Sequence, residues 1–137
     1  MHKERFTHAS EDEVKTLILN SPSKSCCLDP MPTWVLNLCV SELLPIITAI
    51  VKVSMDSCRV PPVFKCAQIQ PLLKKPTLDP DILKNYRPVS NLPFISKVLE
   101  KVVDTRIERH LVENGLHKEF QSAYRRFHST ETALLKV

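Results

Sequence analysis

The chain is expected to fold as an α+β structure, mostly helical, with one small β-hairpin. Three observations predict this. Apolar residues from Leu43 to Met55 and from Ile95 to Leu111 recur at helical spacing. Only CAQIQPLLKK, from Cys66, reads as a strand, with a short return at Arg87–Val89. A chain of 137 residues, 43% hydrophobic and 25% charged, has the size and composition of a globular unit with a modest core.

The elements follow in order. Ser10 before Glu11, Asp12 and Glu13 makes a capping box, and Val14, Leu17 and Ile18 form the apolar face of a short helix ending near Asn20. SPSKSCCLDPMP is a loop stiffened by Pro22, Pro30 and Pro32. A short helix begins at Pro32 and carries Trp34, Val35 and Leu38. Ser41 and Glu42 start the next helix, which is apolar nearly all round and so expected to be buried. Pro61 and Pro62 end it. Pro71 within the strand candidate favours an edge position or a bulge. Asp79 and Pro80 predict a helical turn with Asp79 as its N-cap. Pro93 opens the longest helix, with Gly115 as its C-cap. Its apolar stripe runs through Ile95, Val98, Leu99, Val102 and Val103, continued by Ile107 and Leu111. Glu100 and Asp104, among Lys97, Lys101 and Arg106, read as a surface ion-pair lattice. A last helix starts near Ser129 or Thr130, with Glu131 in its first turn.

Several functions are disfavoured by composition. No apolar run is long enough to cross a membrane, and MHKERFTHASEDEV lacks the apolar core of a signal peptide, so an intracellular setting, cytoplasmic or nuclear, is expected. The five cysteines, Cys26, Cys27, Cys39, Cys58 and Cys66, lack zinc-ligand spacing and are odd in number; they are expected as small buried or half-buried thiols. The five histidines lack the pairing of a metalloprotease, and no metal site is expected. Asp29, before Pro30, reads as a turn or cap carboxylate. His128 beside Ser129 and Thr130 is not a hydrolase arrangement.

The chemistry that remains is cationic. Net charge is +4, and Lys74, Lys75 and Arg87 flank one proline-bounded connection, PLLKKPTLDPDILKNYRPVSNL. Ammonium and guanidinium groups pair with phosphate oxygens, and arginine does so bidentately. Without further context these side chains read as strand-end cations in solvent, with Arg87 capping a carbonyl.

Four blocks supply that context: SKSCCLDPMPTWVL from Ser23, PLLKKP leading into LKNYRPVSNL, SKVLEKVV from Ser96, and FQSAYRRFHSTETALLKV at the C-terminus. In order and spacing they resemble the N-terminal fingers region of the reverse transcriptase of non-LTR (LINE-type) retrotransposons. The resemblance implies a fragment of the fingers of a right-hand polymerase with a small β-hairpin. It divides the chain into an N-terminal helical extension, 1–22, and a partial reverse-transcriptase domain, 23–137. It also implies that Lys75, Arg87 and Lys74 bind nucleotide phosphate and that Gln121, Tyr124 and Arg125 hold the template. The palm aspartates that bind Mg²⁺ in the complete family enzyme have no counterpart here. No catalytic residue, cofactor or polymerase activity is therefore expected of these residues, only weak, non-specific binding of RNA or DNA.

The chain departs from the family pattern at turns. Eleven prolines accompany a single glycine. Cys58 and Phe127 stand where the family commonly has glycine, and Cys27 is a further candidate, so strain is expected where positive φ is still needed. Leu111, Leu116, Phe120, Leu134 and Leu135 are expected to be exposed, favouring self-association. The rival readings are a co-opted nucleic-acid-binding or protein-interaction module on the same scaffold, a product of a decayed element, and an unrelated helical adaptor.

Overall fold

A computed structural model describes residues 7–22, 26–118, 121–123, 125 and 127–135. The described residues form a mostly helical α+β structure with one two-stranded antiparallel sheet. The chain divides into two units, Met1–Val103 and Asp104–Val137.

In the first unit, α1 (Glu11–Leu19) begins at Ser10, whose hydroxyl accepts from the Glu13 N–H at 3.2 Å. A first turn of Glu11, Asp12 and Glu13 complements the positive end of the helix dipole. Helix α2 (Thr33–Leu38) starts after Pro32 and buries Thr33 and Leu36. The sequence placed Trp34 and Leu38 on this helix, and both face solvent, at 62% and 75% exposure.

Helix α3 (Val40–Ser57) is the core's spine. It buries Val40, Leu44, Ile47, Thr48, Val51 and Ser54 along one face. The expected burial all round is corrected: Ile46 and Val53 lie in water, because the neighbouring helices cover only one side. Val14 and Ile18 of α1, Leu36 of α2 and Phe94, Val98, Leu99 and Val102 of α5 (Phe94–Glu113) complete the core. Fully burying a side chain of this size is worth about 1.5–3 kcal/mol.

The ends of α3 and α5 share one geometry. After α3, the Cys58 N–H donates to Met55 O and the Arg59 N–H to Ser54 O, with Cys58 at φ 52°. After α5, the Gly115 N–H donates to Val112 O and the Leu116 N–H to Leu111 O, with Gly115 at φ 60°. Both are Schellman closures, which need a left-handed residue just past the helix. Phe127, at φ 64°, is the other left-handed non-glycine among the described residues, so Cys27 does not share that conformation.

A short helix, α4 (Pro62–Lys65), leads into the hairpin and was not foreseen. Strand β1 (Gln68–Leu73) pairs with β2 (Tyr86–Asn91), from Gln68 opposite Asn91 to Leu73 opposite Tyr86. Pro71 faces Pro88 across the ladder. Lys74 N–H donates to Asn85 O at 2.9 Å, so alternation along the ladder puts the proline pair at a non-hydrogen-bonded rung. There the missing N–H groups cost no ladder bond.

In the second unit, α5 extends through Arg106, which is buried, while Ile107 is exposed. His117 approaches Glu108 at 3.2 Å. Helix α6 (Thr130–Leu134) opens with a capping box between Ser129 and Thr132. Leu116, Leu134 and Leu135 are exposed as expected. Leu111 is half-buried, and Phe120 lies outside the described residues. Cys26 is buried, but Cys27, Cys39, Cys58 and Cys66 are exposed, correcting the expected burial. Among the described residues no helix is long and apolar enough to cross a membrane.

Candidate phosphate and nucleic-acid interface

The loop end of the hairpin gathers the cations. Twelve residues, 74–85, join the strands, and the loop is tied to itself throughout. Asp79 Oδ1 accepts from the Asp81 N–H at 2.9 Å, an Asx turn in place of the expected helical turn. The helical turn comes later, as a 3-10 turn at Leu83–Asn85. Asn85 Nδ2 donates to Asp79 O at 2.8 Å, and the Tyr86 hydroxyl donates to Pro80 O at 2.9 Å. These bonds fold the loop back onto the start of β2.

Lys74 belongs to this scaffold. Its ammonium donates to Lys84 O at 2.7 Å, across the neck of the loop. Lys75 and Arg87 differ. Both are exposed, and among the described residues neither side chain has a hydrogen-bond or ion-pair partner. Arg87 faces Leu72 in register, one rung below the loop, and Lys75 lies two residues beyond β1. Lys84 adds a fourth cation; Asp79 and Asp81 are the two carboxylates of the same stretch. An excess of cations on an ordered loop, three of them (Lys75, Lys84 and Arg87) without a side-chain partner among the described residues, can receive phosphate oxygens without first breaking a native ion pair.

The other predicted residues fall in the second unit. Gln121 is exposed, and its N–H donates to Lys118 O at 3.1 Å. Arg125 is half-buried and donates from Nη1 to Gln121 O at 3.3 Å, which makes it in part a loop brace. His128 Nδ1 lies 3.1 Å from Ser122 Oγ in the same loop. Tyr124 lies outside the described residues.

A comparison with models of known protein families finds no match. The chemistry of the interface therefore rests on its own geometry. Among the described residues no group of three or more His, Cys, Asp or Glu side chains is placed to hold a metal ion, and no step here runs through one.

Sequence reasoning missed the anchorage of the hairpin. Asp29 Oδ2 accepts from the Cys26 N–H at 2.9 Å, and Oδ1 accepts from the Phe94 N–H at 2.7 Å. One carboxylate thus closes its own turn and caps α5. The cap reading of Asp29 from Asp-Pro was right in kind, but its partner lies 65 residues away. At the hairpin base, Lys97 Nζ donates to Asn91 Oδ1 at 2.7 Å, and Cys26 and Cys27 reach the two strands. Adjacent cysteines in a loop carry no sequence signal for such partners.

Proposed function

We propose that the chain is the fingers region of a LINE-type reverse transcriptase, and that its hairpin binds the phosphates of nucleic acid or nucleotide weakly and without sequence preference. One observation carries the reading: Lys75 and Arg87 stand exposed, with no side-chain partner among the described residues, at the end of an internally bonded hairpin. A second supports the resemblance. Cys58 and Phe127, where the family commonly has glycine, are the non-glycine residues in the left-handed conformation among the described residues. A net charge of only +4, with cations spread over several elements, implies few phosphate contacts and electrostatic, salt-suppressed binding. In this reading the residues contribute positioning charge, and primer extension is not expected from them alone.

Fluorescence anisotropy with single-stranded RNA, at rising salt, tests the binding. The wild-type chain binds at low salt, and Arg87→Ala lowers the log–log salt slope by about one. Tight binding that survives high salt, or binding indifferent to both Lys75→Ala and Arg87→Ala, contradicts the proposal.

A further inference from the structure

The hairpin is gripped at its base by two adjacent thiols. Gln68 and Asn91 face each other at the first rung of the ladder. The Cys26 thiol donates to Asn91 O at 3.4 Å, and the Cys27 thiol donates to Gln68 Oε1 at 2.9 Å. Consecutive residues of one loop therefore hold both strands at a single rung, and Asp29 holds that loop to the start of α5. The strands need such a grip. Almost every residue of β1 and β2 is exposed, and a two-stranded ladder without a buried face is marginal by itself. The two thiols also differ in access: Cys26 is buried and Cys27 lies in solvent.

We propose that the Cys26–Cys27 pair is a site of reversible oxidation by peroxide, and that its oxidation releases the base of the hairpin. The exposed Cys27 sulfur attacks one peroxide oxygen and the O–O bond breaks. Cys27 becomes a sulfenic acid, and the other oxygen leaves as water with the thiol proton. The Cys26 sulfur then attacks the Cys27 sulfur, and the hydroxyl departs as water with the Cys26 proton. The pair has given two electrons to one peroxide, which ends as two waters. Neither sulfur retains a hydrogen to donate, so the bonds to Asn91 and Gln68 are both lost. Neighbouring Cα atoms lie about 3.8 Å apart, below the roughly 4.4 Å at the short end of disulfide geometry. The bond is therefore strained and readily reduced, which makes the change reversible. The inference rests on the clasp geometry and is independent of what the hairpin binds.

The test uses a Cys39→Ser, Cys58→Gly, Cys66→Ser chain, which leaves only the pair. It is treated with hydrogen peroxide and followed by mass spectrometry and amide hydrogen exchange. The expected result is loss of two hydrogens from the peptide holding Cys26 and Cys27, restored by dithiothreitol. Exchange in 68–73 and 86–91 rises about tenfold on oxidation, while α3 is unchanged. Cys27→Ser keeps a hydroxyl donor toward Gln68 and shows no peroxide-dependent rise. If the triple variant does not fold, the native five-cysteine chain, digested to locate the bond, carries the same comparison with Cys27→Ser. Oxidation that bypasses the pair, or a Cys26–Cys27 disulfide that leaves hairpin exchange unchanged, overturns the proposal.

Discussion

Cys58 and Gly115 end the two longest helices with the same closure, and the chemical difference between them is a side chain. A left-handed residue with a Cβ is strained by about 1–2 kcal/mol, and glycine gives back part of that in unfolded-state entropy. Cys58→Gly is therefore expected to stabilise the chain by about 1 kcal/mol, seen as a melting temperature higher by about 4 °C. Gly115→Ala should do the opposite, although a Cβ there meets nothing within 4 Å, because the cost lies in the backbone. Equal melts for Cys58→Gly and wild type would show that the closure tolerates the thiol without strain. Asp29 gives a second prediction at this scale. Its carboxylate serves two N–H groups, so Asp29→Ala should cost about 2–3 kcal/mol in denaturant unfolding. Asp29→Asn, which keeps one acceptor oxygen, should fall between; an unchanged midpoint for Asp29→Ala would remove Asp29 from the anchorage. Positive φ at Cys58 and Phe127 was expected only from the reverse-transcriptase resemblance, since a thiol or phenyl side chain carries no such signal itself. The second partner of Asp29 was not legible, since a hydrogen bond spanning 65 residues leaves no local trace.

Among elements, helix ends were the most legible features. Ser10 and Gly115 sit at the caps assigned to them, and the last helix starts at Thr130 as expected, since capping uses side chains within a few residues of the helix. Faces were less legible. Helix α3 is apolar nearly all round, so its pattern could not select which side is covered, and Ile46 remains in solvent at 60% exposure. Along α5 the stripe predicted through Ile107 stops with the core at Val102 and Val103. The hairpin was placed correctly, but its first strand was drawn too long from Cys66 and its return strand too short at Arg87–Val89, because Pro88 disguised β2. Its prolines face each other where no ladder bond is needed. Lys74 was grouped with Lys75 by adjacency, yet its ammonium closes the loop onto Lys84 O. Lys74→Ala should therefore raise amide exchange in 74–85 by several-fold, about what the loss of one hydrogen bond allows, whereas Lys75→Ala should leave it unchanged. The same exchange rate in both variants would deny Lys74 its structural role.

At the scale of the molecule, each unit leaves large apolar side chains in water. Trp34 and Leu38 stand one turn apart on α2, and in the second unit Phe127 and Leu135 are nearly fully exposed. Self-association that grows with concentration is the expected outcome in size-exclusion chromatography with light scattering. Leu134→Gln with Leu135→Gln should shift the distribution toward monomer; a wild-type monomer at every concentration would contradict this. Charge acts at the same scale. A net +4 is modest, so the field of the whole chain contributes little, and the proposed binding is assigned to the hairpin loop, where cations are concentrated. Amide chemical-shift mapping with single-stranded RNA at low salt tests that claim most directly. Shifts are expected to concentrate at 74–87, with Lys75 and Arg87 prominent, and to collapse as salt rises. Shifts spread over the helices, or absent from the hairpin loop, would contradict it.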